Sequence, residues 1–224
     1  MPQTPAKPEP PQPPDALREG DIATMKGPDL VRILTDAASP EFQKAKACMR
    51  IGELGAKEAI PALAPLLTNE HLNVYARYGM EPIDDPAADE ALRSALPKLK
   101  GNLLIGVINS IGKRRDTASV AALAKLMDHP DPEVARAAAS SLGKIGGLLA
   151  MKELRSALAK TKGHVRAAVA DASLLCAEQL LAAGQRDQAL ALYAGLTAPD
   201  VPKPVRLAAM HGIIREETSV SRPR

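Results

Sequence analysis

Apolar residues recur along this chain at spacings of three and four, the period of an amphipathic helix, and the stripes come in pairs separated by a turn. The clearest pair begins at residue 131. Val134, Ala138, Leu142 and Ile145 share one helical face there, followed after Gly146-Gly147 by a second run through Leu154 and Leu158. Asp131 is placed to cap the first helix, Pro132 has the φ suited to its first position, and Glu133 favours the positive end of the helix dipole. The two glycines supply the backbone freedom for a reversal.

The same grammar appears elsewhere. Ser39-Pro40-Glu41 predicts an earlier start of the same kind, with a capping serine and a stripe of Ala47, Ile51 and Leu54. Ile51-Gly-Glu-Leu-Gly55 matches Leu142-Gly-Lys-Ile-Gly146 and, more loosely, Ile108-Asn-Ser-Ile-Gly112. The expected second helices carry Leu63/Leu67, Leu92/Leu96, Leu123/Met127 and Leu154/Leu158, offset from one pair to the next by 29, 31 and 31 residues. That period fits two-helix solenoid units.

A second, irregular repeat has the stripe Leu72, Ala76, Met80 and Ile83, with Asp85-Pro86 restarting the chain. A fifth runs from Val165 to about Tyr193, turning at Gly184. Pro204-Val-Arg-Leu-Ala-Ala209 resembles a sixth first helix for which no partner follows. This predicts either a fold-back or an apolar contact patch for self-association at Leu207, Met210, Ile213 and Ile214. Pro61 and Pro65 break the pattern: Pro65 inside a helix would cost roughly 3 kcal/mol, so a kink is predicted.

The fold expected is all-α, a right-handed α-solenoid of about five to six stacked helix pairs over residues 39–216, preceded by capping helices over 15–38. Residues 1–14 hold seven prolines, a composition that predicts a disordered tether. Residues 217–224 are read as a flexible tail.

Composition sharpens this picture in three ways. Aromatic residues make up only 2% of the chain, so the core must come from small side chains that let helices approach closely. A net charge of +3 from 29 basic and 26 acidic residues gives no global field for nucleic acid or an anionic membrane. The longest apolar run, near residues 103–108, is far short of the ~20 residues that span a bilayer. Cys48 and Cys176 fall in different repeats without metal-ligand spacing and are read as small buried hydrophobes. The first residues lack the apolar core of a secretory signal, so the chain as numbered reads as cytoplasmic, with export open if a signal lies upstream.

The runs at residues 51–63 and 130–146, with partial copies at Val165-Arg-Ala-Ala168 and Val205-Arg-Leu-Ala-Ala209, resemble the HEAT-repeat superfamily. The likeness is to its short-period bacterial type, labelled phycobilisome-lyase HEAT-like, and covers roughly residues 39–216. It implies the fold and a protein-binding role. Lyase chemistry and the di-iron site of HEAT-type deoxyhypusine hydroxylases do not transfer. No His-Glu dipeptide exists, and His71, His129, His164 and His211 sit near expected helix ends in four different repeats. No phosphate loop, nucleophile elbow or metal cluster is present, so neither a catalytic residue nor a cofactor is assigned, and the chain is expected not to be an enzyme.

Two clusters rise above background. Tyr75, Arg77, Tyr78 and Glu81 gather aromatic area and an ion pair on about one and a half helical turns. They read either as packing of the irregular repeat, with Arg77 paired internally, or as a partner contact. Lys113, Arg114 and Arg115 follow Gly112 at a turn, as a basic edge or as a solvated turn in which an arginine satisfies helix C-terminal carbonyls. With Arg93, Lys125, Lys152 and Arg155 on the second helices, expected to line a concave face, these residues are the candidate partner-binding set. The reading is a non-enzymatic protein-binding scaffold. The alternatives are an accessory or maturation factor for an enzyme or chromophore protein, and a nucleic-acid-associated scaffold using residues 113–115.

Overall fold

A computed structural model describes residues 22–220 of the chain. The proline-rich stretch 1–14, residues 15–21 of the expected capping segment and residues 221–224 of the tail lie outside the described residues. Within them the chain forms helices joined by short turns and no strand. A 3-10 turn at Ile22–Thr24 and α1 (Gly27–Thr35) precede the repeats. The first helices of successive repeats are α2 (Glu41–Leu54), α4 (Asn73–Met80), α6 (Gly101–Arg114), α8 (Pro132–Ile145), α10 (Gly163–Ala182) and α12 (Lys203–Val220). Their partners are α3 (Ile60–Leu63), α5 (Pro86–Ala95), α7 (Val120–Leu126), α9 (Gly147–Lys160) and α11 (Arg186–Gly195). The helix α12 runs through Val220, past residue 216, where the polar tail was expected to begin.

First helices stack on first helices from α2 to α12, and second helices pack alongside as another layer, with α3 on α5, α7 on α9 and α9 on α11. The core lies between the layers. Leu63, Leu67, Leu92, Leu96, Leu123, Met127, Leu154 and Leu158 are all buried, as their spacing predicts. So is the whole stripe Val134, Ala138, Leu142 and Ile145.

Local sequence explains where α5 and α8 start. The Asp131 carboxylate accepts the Glu133 N–H at 2.9 Å, and the Asp85 carboxylate accepts the Ala87 N–H at 2.9 Å, each with proline in the next position. The start at Ser39 differs. Its hydroxyl donates to the Asp36 carboxylate at 3.2 Å, while the other Asp36 oxygen takes the Ala38 N–H. Asp36 thus diverts the serine into the preceding turn, and α2 begins without a side-chain cap.

Leu54 also departs from its predicted stripe. It is the last residue of α2, and the chain turns in the left-handed region at Gly55 (φ 62°), leaving Leu54 44% exposed while Ala56 takes the buried place. The proline conflict in the first repeat is resolved by shortening the α-helix. Lys57–Ala59 and Ala64–Thr68 are 3-10 turns flanking a four-residue α3, so Pro65 falls in a first turn whose N–H groups need no intrahelical partner.

Small residues set the distance between first helices. A Cβ placed on Gly79 would stand 2.7 Å from the Cys48 carbonyl oxygen, and one on Gly143 would stand 2.8 Å from Ala172 Cα. Ser141 lies against Gly112 and donates its hydroxyl to the Ile108 carbonyl at 2.9 Å, which satisfies a fully buried polar group. Ser110, Ser141 and Ser173, all fully buried, fall near the repeat spacing on α6, α8 and α10.

Candidate functional site

The junction between α4 and α6 is built differently from its neighbours, and most of the candidate cluster lies in it. Arg77 on α4 lays its guanidinium against Gly106, where a Cβ would come within 2.7 Å of it and make the group shift. Its Nε donates to Asn73 Oδ1 at 2.8 Å and its Nη1 to Ser110 Oγ at 3.2 Å. Ser110 donates onward to Glu81 Oε1 at 2.7 Å, and Lys113 Nζ donates to Glu81 Oε2 at 2.6 Å. Desolvation holds the Arg77 guanidinium below the usual arginine range, and the Glu81 carboxylate pulls in the opposite direction. Of the two sequence readings of Arg77, the internal pairing is the one the geometry contains.

Arg114 closes the same junction from below. Its side chain is 8% exposed and forms a two-pronged pair with Asp89 of α5, at 2.6 and 3.0 Å. The same guanidinium donates to the carbonyls of Met80, Glu81, Ile83 and Asp85 at 3.0, 3.0, 2.6 and 3.3 Å. It therefore caps the C-terminal end of α4 from the following repeat, supplying donors to carbonyls that a helix end leaves over. The basic triplet is thereby divided. Lys113 faces Glu81, Arg114 is buried, and Arg115 stays exposed in the left-handed region (φ 55°) as the terminus of α6.

The remaining candidates separate by layer. Arg93 on α5 pairs with Asp116 at 2.7 Å, just beyond α6, while Asp116 also holds the 3-10 turn at Thr117–Ser119. Lys125 on α7, and Lys152 and Arg155 on α9, are exposed on the second-helix layer. Tyr75 and Tyr78 are 37% and 51% exposed on the outer side of the first-helix layer, where Val74 is 52% exposed as well. Leu72, Ala76, Met80 and Ile83 fill the interior of the irregular repeat, and the two tyrosines lie partly covered at its surface.

Phe42, on the neighbouring α2, is exposed too, with Lys46 Nζ 5.7 Å from its ring centre. The His71–Glu41 contact, 3.0 Å, ties the start of α4 to the start of α2, so Phe42 and Tyr75 lie on adjacent helices at a similar height. Sequence periodicity does not reveal Phe42 or Val74 as surface residues, because exposed apolar positions look like an extension of the buried stripe. Farther along the same layer a shallow groove of about 420 Å³ runs over α6, α8 and α10, lined by Ile105, Asn109, Arg136, Ser140, Asp171 and Leu175 among others.

Among the described residues no three of the His, Cys, Asp and Glu side chains gather as a metal ion would need. No described helix is long and apolar enough to cross a membrane. His129 accepts the Asp131 N–H at 3.0 Å and so serves the start of α8, whereas His211 stands exposed in mid-α12 rather than near a helix end.

The thiols are buried, and desolvation pushes Cys48 up to about 12 and Cys176 up to about 11. Thiolates are the reactive species, so the native chain is expected to resist a thiol reagent at pH 8 and to take up two equivalents once denatured. Rapid native labelling would show an open thiol. The unfolded chain sheds these protons near its ordinary value of 9.0 and the folded chain keeps them, so stability falls as pH rises above about 9 and is untouched by the thiols below it.

Residues 89–174 match the profile of HEAT repeats. Comparison with curated proteins finds no match. Among solved structures the chain is similar to the complex of CpcE and CpcF of phycocyanin lyase from Nostoc, at 18% identity and a TM-score of 0.43, over 86% of this chain and 76% of that one. It is similar to an engineered protein at 19% identity and a TM-score of 0.46, over 87% of this chain and 98% of that one. It is also similar to human deoxyhypusine hydroxylase in complex with glycerol, at 17% identity and a TM-score of 0.42, over 86% and 74% of the two chains. Residues 89–174 carry the HEAT-repeat match, and the described chain as a whole is an all-α solenoid of two stacked helix layers.

Proposed function

We propose that this solenoid is a non-enzymatic adaptor that binds a protein partner on the outer face of α2 and α4. One observation carries the reading. The chain has four aromatic residues, and three of them, Phe42, Tyr75 and Tyr78, stand exposed on these two adjacent helices while Tyr193 is buried. Aromatic area left in water costs free energy on an isolated surface and stabilises an interface, where tyrosine combines contact area with a directional hydroxyl. The helix that presents two of the three is also tied to its neighbours through Arg77 and Arg114, so little conformational freedom is lost on binding. The 29- and 31-residue repeat spacing further supports placing these units with the short-period, lyase-like type of HEAT repeat.

Affinity capture with the full chain tests this. Tyr75→Ala/Tyr78→Ala is expected to lose the captured protein with an unchanged melting temperature. Lys152→Glu/Arg155→Glu, on the second-helix layer, is expected to retain it. The opposite pattern would move the site to the basic second-helix surface, and capture of nothing by the parent chain would sink the proposal. Identification of the captured protein as an enzyme or chromophore carrier would make the adaptor an accessory factor.

A further inference from the structure

The outer face of α12 carries a pattern that complements itself. Lys203, Leu207, Met210, Ile214 and Glu217 follow one another at spacings of four, three, four and three, which aligns them along a single helical stripe. All five are exposed, with Leu207, Met210 and Ile214 at 52%, 45% and 56%. The inward face is already used: Val205 and Ala209 are buried, and Gly212 sits against the Tyr193 ring, where a Cβ would come within 2.8 Å. The stripe is therefore basic at its start, apolar in its middle and acidic at its end.

We infer that this stripe is an antiparallel homodimer contact, its occupant being α12 of a second copy of this chain. A two-fold axis through Met210 brings residues equally distant from it into opposition. Lys203 and Glu217 each lie seven residues from Met210, so each copy's lysine meets the other's glutamate. Leu207 meets the Ile213–Ile214 pair, and Met210 meets Met210. A parallel pairing would set lysine against lysine and glutamate against glutamate, so the charges select the antiparallel arrangement. Three large apolar side chains from each copy would leave water, and methionine at the axis adapts its shape to its own twin. The inference is independent of the aromatic face on α2 and α4, which lies at the other end of the stack.

Sedimentation equilibrium of the full chain tests it. The parent chain is expected to sediment as a dimer in the micromolar range, and Met210→Asp as a monomer with an unchanged thermal melt. Lys203→Glu and Glu217→Lys are each expected to weaken the dimer roughly five- to tenfold, since each sets like charges in opposition at two symmetric places. The double variant is expected to return to within about threefold of the parent, because the swapped charges attract again. A parent chain that stays monomeric to about 100 μM would overturn the proposal. So would a dimer indifferent to Met210→Asp, or a double variant as weak as the singles. Met210→Cys provides a second readout: with Cys48 and Cys176 buried, mild oxidation is expected to join two chains through this one position, and failure to cross-link would exclude the axis.

Discussion

Arg114→Ala is expected to cost about 3 to 5 kcal/mol of unfolding free energy, the largest effect of any single side chain outside the apolar core. The magnitude follows from what is left behind. Removing the guanidinium strands the Asp89 carboxylate, only 21% exposed, together with the carbonyls at the end of α4. Arg114→Lys is expected to recover little. An ammonium presents a compact charge and cannot engage both Asp89 oxygens and the Met80, Glu81 and Ile83 carbonyls at once. Lys125→Ala, at an exposed position on α7, should stay within about 0.5 kcal/mol of the parent. Urea titrations of the three variants decide the matter, and a midpoint for Arg114→Ala equal to that of Lys125→Ala would show that the junction does not depend on this residue.

Gly143→Ala should invert an ordinary rule. In an open helix the change stabilises by up to about 1 kcal/mol. Here the new methyl group would stand 2.8 Å from both Cα and the carbonyl oxygen of Ala172, so α8 and α10 must move apart along a closely packed length. Forced overpacking of this kind costs about 1 to 3 kcal/mol, and with backbone as the obstacle the net change is expected to be destabilising by a similar amount. Ala172→Gly in the same chain should not rescue it, since the obstructing atoms belong to the backbone. Gly195→Ala, whose new methyl would meet Leu158 at 3.6 Å, is expected to be neutral or mildly stabilising. A thermal melt showing Gly143→Ala more stable than the parent would mean that the helices are not held at this separation.

How much of this the residues disclose depends on the range of the interaction. The helix starts at Asp131-Pro132 and Asp85-Pro86 are legible because capping acts over two or three residues. Ser39-Pro40 carries the same signal, yet Asp36, three positions upstream, competes successfully for the serine hydroxyl. The buried stripes and the repeat period are legible because burial on one helical face must recur. Leu54 fails because a helix end removes the periodic constraint. The polar junction is the hardest part to read: Arg114 reaches Asp89 and the end of α4 from the next repeat, across 25 to 34 residues, a separation fixed only once the units have stacked. Nothing local distinguishes Arg114 from Arg115, its exposed neighbour. Tyr75 shows the same limit from the other side, since its spacing from Leu72 suits the interior and only the finished packing turns it outward.

The junction between α4 and α6 carries a mechanical meaning. Cooperativity in a linear array is passed from unit to unit, and it weakens wherever neighbours are joined by relatively few apolar contacts. Glycine and alanine nest the helices on either side of this point, and here the ion pairs of Arg77, Lys113 and Arg114 add polar contacts to the packing. The apolar core nevertheless continues through the junction from Leu30 to Ala209, so these polar contacts add to a seam that packing already closes.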